Sequence, residues 1–134
     1  MSAIIEREGT TMTRKESAAA FLKMAGTGNT DEAYAKFIAP KLIHHNQHFK
    51  GDRQSLKTAM DDAHKTSPNK LVDVKRVFED GDFVITHSLV VRGNPSDPDI
   101  AVVHIFRFEG DKVVELWDLA QLLSKNSPNE NGAF

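Results

Sequence analysis

Residues 100–121, Ile-Ala-Val-Val-His-Ile-Phe-Arg-Phe-Glu-Gly-Asp-Lys-Val-Val-Glu-Leu-Trp-Asp-Leu-Ala-Gln, form two long apolar arms interrupted at Gly110-Asp111. Both arms alternate and are rich in Val, Ile and Phe, the pattern of a β-hairpin. Each arm carries one titratable residue among apolar neighbours, His104 on the first and Asp118 on the second. The turn decides whether they share a face. With a three-residue loop, Gly110 to Lys112, residue 109 faces 113 and His104 faces Asp118, both on one side. With a two-residue Gly-Asp loop, Trp117 faces His104 and Asp118 turns to the other side.

Upstream of the hairpin the chain changes period. Thr13-Arg-Lys-Glu16 has capping-box spacing, and Ala18, Phe21, Leu22 and Ala25 follow at helical intervals until Gly26-Thr-Gly28. A second helix starts at Thr30-Asp-Glu, presents Ala33, Phe37 and Ile38 with Tyr34 beside them, and ends at Pro40. A short segment, residues 42–49, leads to a turn at Lys50-Gly51 and a third helix over about residues 52–65, with Leu56, Ala59, Met60 and Ala63 on its buried face. Two-residue alternation then begins. Residues 71–79 and 83–92 read as strands flanking Asp80-Gly81-Asp82, and a turn-rich loop, residues 93–98, precedes the hairpin. Three helices followed by four long antiparallel strands predict an α+β fold with the helices on one face of a curved sheet. The expected organisation is a loose arm over residues 1–12, one domain over 13–123 and a polar, disordered tail over 124–134.

A chain of 134 residues, 40% of them hydrophobic, suits one domain with its own core. A net charge of −2 with scattered lysines and arginines points away from nucleic acid and anionic membranes. The absence of cysteine removes disulfides, thiolate metal sites and cysteine nucleophiles. The amino terminus does not read as a secretory signal and no stretch approaches transmembrane length, so a soluble, cytoplasmic protein is expected.

Six histidines stand out. His44, His45 and His48 cluster with Asn46; His87 and His104 lie in strands. Asp118 either pairs structurally with Arg107 on the neighbouring arm or serves as an acid/base group tuned by its apolar surroundings. The histidine cluster permits a metal reading, but there is no HExxH and no carboxylate at ligand spacing. A solvated loop without metal or other cofactor is expected instead. The phenylalanines, Phe106 among them, and Trp117 either line a cavity or are plain core.

The last hairpin, Phe106-Arg-Phe-Glu-Gly-Asp-Lys-Val-Val-Glu-Leu-Trp-Asp118, and His45-Asn46 followed by Gly51 carry a family likeness. Over about residues 13–123 the chain resembles the SnoaL-like polyketide cyclase family, within the nuclear transport factor 2 and ketosteroid isomerase superfamily. Relatives often read Gln-His-Asn-Pro where this chain has His44-His-Asn-Gln47. The resemblance implies a cone-shaped antiparallel sheet wrapped by three helices, with an apolar pocket at one end. It implies Asp118 as acid/base and His104 as its assistant, and places His45, Asn46 and His87 toward the pocket. Phe106, Trp117, Tyr34 and Met60 are further candidates for binding the substrate.

The expected activity is a cofactor-free proton shift beside the carbonyl of a small apolar compound, of aldol-cyclase or isomerase type. The alternatives are a non-catalytic ligand-binding module of the same shape and a metal enzyme built on His44, His45 and His48. Val103, Ile105 and Leu119 give the outward hairpin face surplus apolar character, from which a homodimer through the outer sheet face is expected.

Overall fold

In the computed structural model, residues 4–7 and 10–134 are described, with side chains from residue 12 onward. Two short strands, Ile4–Arg7 (β1) and Thr10–Thr13 (β2), pair antiparallel within the segment expected to be a loose arm. Four residues are too few for an alternation to show in the sequence. Residues 1–3 and 8–9 of that arm lie outside the described residues.

Thr13 then opens the helical layer. Its hydroxyl accepts from the Glu16 N–H at 3.1 Å, and the Glu16 carboxylate accepts from the Thr13 N–H at 2.9 Å. This reciprocal cap satisfies donors that would otherwise be orphaned at the start of Arg14–Gly26 (α1). Thr30–Phe37 (α2) follows, and Arg53–Thr66 (α3) is capped by Asp52, whose carboxylate accepts from Ser55 N–H. No helix among the described residues is long and apolar enough to cross a membrane.

The sheet has five strands, Ile38–His44 (β3), Leu71–Asp80 (β4), Phe83–Val91 (β5), Ile100–Glu109 (β6) and Lys112–Leu122 (β7), in the order β3-β7-β6-β5-β4. Four of these are the antiparallel strands predicted from alternation. The fifth is a correction. β3 contains Pro40 and was read as a helix end and a short connecting segment, yet it pairs parallel with β7, so the curved, unclosed sheet is mixed. Its bulged register and edge position accommodate a proline that a central strand would reject.

The core lies between α1, α2 and the deep end of the concave face. Phe21 meets Tyr34 and Phe106 edge-on, with ring centroids 5.6 and 6.3 Å apart, and Phe108, Val84, Val113 and Leu116 complete the packing. Removing each of the larger side chains from water stabilises the fold by about 2 kcal/mol. Tyr34 and Phe106 are thus spent on the core. Beyond Phe106, residues of α1, α3 and the sheet line a hollow.

Residues 124–134 follow β7. They contain no helix or strand, and the Phe134 ring lies 4.8 Å from His87 and 5.6 Å from the Lys75 ammonium, on the outer face of the sheet.

Candidate active site

His104 faces Asp118 across the β6–β7 ladder, and the way this register arises was not legible in the sequence. The turn has two residues, because Glu109 pairs with Lys112 and Phe108 with Val113. By itself that turn would oppose His104 with Trp117 and send Asp118 outward. Val114 corrects it. Arg107 pairs with Glu115, leaving Val114 as an extra residue in a β-bulge that moves every later pair by one position. His104 therefore meets Asp118, and Trp117 meets Ile105 on the opposite face.

The row continues on β5, where Thr86 pairs with His104. Thr86 and Ser88 are fully buried on the concave face, and their hydroxyls find no hydrogen-bond partner among the described residues. From the loop after β3, the Asn46 side-chain amide donates to both Asp118 carboxylate oxygens at 3.0 and 3.2 Å. The Asn46 carbonyl oxygen in turn accepts from the His48 N–H at 2.9 Å, which fixes the amide's orientation.

His104, Asp118 and Asn46 border a hollow of about 490 Å³. Its walls are chiefly apolar, with Leu22 and Ala25 from α1, Met60 and Ala63 from α3, and Val72, Val90 and Val102 from the sheet. His104 lies against the Phe106 ring at 5.8 Å, and its Nδ1 is sealed off without a partner among the described residues. Burial pushes the imidazole down to about 4, outweighing the nearby Asp118 carboxylate, which acts in the other direction. At neutral pH the ring is therefore uncharged, with one N–H to give. No hydrogen bond joins it to Asp118 among the described residues, so both groups are available to a ligand.

Asn46, Met60, His104 and Asp118 come together at the hollow; other expected site residues do not. His45 projects outward, where its Nε2 lies 2.7 Å from Glu115 and its ring stacks on Trp117 at 4.8 Å. Trp117 packs against Phe83 on that same side. His87 pairs in register with Val103 and contacts Arg76 and Phe134, again on the outer face. Alternation explains all three corrections. Residues 45, 87 and 117 are each one position from a residue that faces inward: His44, Thr86 or Ser88, and Leu116 or Asp118. Tyr34 gives its hydroxyl to the Met60 sulfur at 3.3 Å, inside the core.

The structural ion pair considered for Asp118 is made by a neighbour instead. Arg107 Nε donates to Glu115 at 2.9 Å on the outer face. His44, buried at the end of β3, places Nε2 2.6 Å from the Lys50 carbonyl, while its Nδ1 accepts from the Asn46 N–H. Its role is to shape the loop that delivers Asn46. His44 and His45 point to opposite sides, and no group of three or more potential ligands is placed to hold a metal among the described residues.

The profile described as SnoaL-like domain matches residues 18–116, most of the chain and nearly all of the sheet and helices just described. The chain belongs to the SnoaL-like domain family. No curated protein matches it. Solved structures of similar shape include a candidate polyketide cyclase from Acidithiobacillus ferrooxidans, at TM-score 0.64 and 22% identity over 81% of this chain and 87% of that one. An uncharacterized cystatin-fold protein from Novosphingobium aromaticivorans gives 0.68 and 20% over 81% and 98%. An NTF-2-like protein of unknown function from Burkholderia xenovorans gives 0.66 and 17% over 86% and 88%. At such identities the likeness is one of fold, which SnoaL-like proteins share across differing sites.

Proposed function

We propose that this SnoaL-like protein is a cofactor-free acid/base enzyme acting beside the carbonyl of a small, largely apolar compound, of aldol-cyclase or isomerase type. The observation that carries the reading is the pairing of Asp118 and His104 on one face of an apolar hollow, with Asn46 holding the carboxylate. The similarity to a candidate polyketide cyclase supports the same class of chemistry.

The Asp118 carboxylate takes a proton from the carbon next to the carbonyl, and the C–H electron pair moves into an enolate. The neutral His104 donates its N–H to the oxygen where negative charge gathers. A preorganised donor of this kind contributes about 3 kcal/mol to transition-state stabilisation. In a cyclisation the enolate carbon attacks a second carbonyl of the same molecule, forming the C–C bond. The resulting alkoxide recovers the proton from Asp118. In an isomerisation that proton returns to a different carbon.

Proton–deuterium exchange on a panel of cyclic ketones and β-diketones, followed by NMR, tests the assignment. Wild type should accelerate exchange of at least one ketone, and Asp118→Asn should lower that rate by about 10²-fold or more. Equal rates for the two proteins across the panel sink the role of Asp118.

A further inference from the structure

The far end of the hollow holds a second constellation. β4 and β5 pair up to Val72 opposite Val90 and Leu71 opposite Val91. Continued one step beyond its last pair, that register sets Lys70 opposite Arg92. Alternation returns both side chains to the face of Val72 and Val90, and all four residues line the hollow. The segments bearing them are clamped together. Gly93 adopts φ +71° and lies so close to Asn69 that a Cβ would stand 2.9 Å from the Asn69 carbonyl oxygen. Any larger residue there would push Arg92 away from Lys70.

Like charges placed opposite one another on a ladder destabilise it, and an ammonium drawn partly out of water adds to that cost. Other lysines in this protein escape the problem: Lys57 sits between Asp31 and Asp61, Lys36 reaches Glu32 and Lys75 reaches Asp73. Lys70 meets no carboxylate among the described residues. Arg92 spends its Nε on the Pro98 carbonyl at 2.7 Å, and the Asp99 carboxylate is engaged by the Arg92 backbone N–H at 3.2 Å. Burial, and after it the Arg92 guanidinium, pushes the Lys70 ammonium below the ordinary lysine range. What the pair lacks is an anion.

We propose that Lys70 and Arg92 are the anion-binding end of the hollow, and that its ligand is an amphiphilic carbonyl compound bearing a carboxylate remote from Asp118. The carbonyl end rests on the function proposed above; the anionic end stands on its own residues. Thr86, in line with His104, and Arg92 are six positions apart on β5 and its continuation, about 20 Å for an extended strand. Long basic side chains leaning inward reduce that span to the length of a flat molecule of two or three fused rings. A guanidinium and an ammonium together suit a carboxylate, the first through its fork and the second as a point charge.

Isothermal titration with 6-acetyl-2-naphthoate and its methyl ester separates the two ends. Wild type should bind the acid at least tenfold more tightly than the ester at low ionic strength. In the double variant Lys70→Gln/Arg92→Gln the two affinities should fall within twofold of each other, with the ester's unchanged. If that variant does not fold, Lys70→Gln alone should cut the preference at least threefold. Equal binding of acid and ester by wild type overturns the proposal, as does a preference that survives these substitutions or failure of both probes to bind at millimolar concentration. Asp118→Asn should keep the preference for the acid. Wild type that prefers the acid but accelerates no exchange would condemn the chemistry and not the anion site, and wild type that accelerates exchange without preferring the acid would do the reverse.

Discussion

His104 is the residue whose surroundings most alter its chemistry. An imidazole held near 4 in the folded protein and near 6.5 in the unfolded chain binds fewer protons when folded throughout that interval. Stability is therefore expected to fall as pH drops from about 6.5 toward 4, with up to about 3 kcal/mol at stake. Urea unfolding at pH 7 and pH 5 measures this: wild type should lose midpoint between the two, and His104→Gln should lose distinctly less. An equal loss in both proteins would remove His104 as the cause. In the sequence, His104 and Asp118 were conspicuous because each broke an apolar alternation. Lys70 and Arg92 broke none, since they sit just beyond strand ends where charge is ordinary. Pairing them requires knowing that Lys75 is bypassed by a bulge between Val74 and Arg76, which a period cannot reveal.

Among the elements, the last hairpin shows most clearly what periodicity can and cannot convey. Its arms, its turn and its apolar faces are all readable, but a single extra residue decides which set of side chains faces the hollow. The sequence offers a two-residue or a three-residue loop, and the protein uses the shorter loop with the pairing of the longer one, through Val114. Deleting Val114 is expected to leave exchange activity in place, because the shortened strand then pairs without interruption from the turn, with Arg107 opposite Glu115 and His104 still opposite Asp118. Circular dichroism reports whether the variant folds, and contacts seen by NMR report whether residue 104 opposes 117 or 118. A folded deletion variant in which Trp117 opposes His104, or one without activity, would overturn this account of the register. His45, His87 and Trp117 were misplaced for a related reason. A family likeness points to positions, whereas a two-residue repeat sends adjacent positions to opposite sides.

On the scale of the whole molecule, the outer face of the sheet is the least settled surface. Leu119 is 64% exposed, and Ile43 and Phe83 are exposed on a face that also carries Trp117 and Ile105. We infer that a second copy covers this face, as surplus apolar area on a solvent-facing sheet implies. Sedimentation should give twice the 14.9 kDa chain mass at micromolar concentration, and Leu119→Glu should return it to the single-chain value. Sedimentation of wild type as a single chain under those conditions ends the proposal. The fold class was legible because helical and two-residue periods occupy separate halves of the chain. The parallel placement of β3 was not, because its partner β7 lies some seventy residues away and nothing local records the pairing.

That placement has a further effect on how the protein meets other chains. With β7 covered, the margins of the sheet are β3 and β4. On one margin Pro40 withholds an amide hydrogen and an antiparallel bridge from Ile43 to Asp52 occupies the end. On the other, Asp73, Lys75, Arg76 and Glu79 line a strand bent by its bulge. Both rims discourage a neighbouring molecule from extending the ladder, the usual first step toward fibrous aggregation. Self-association is thereby steered to broad face-to-face contact, in which exposed leucines become an asset and not a hazard.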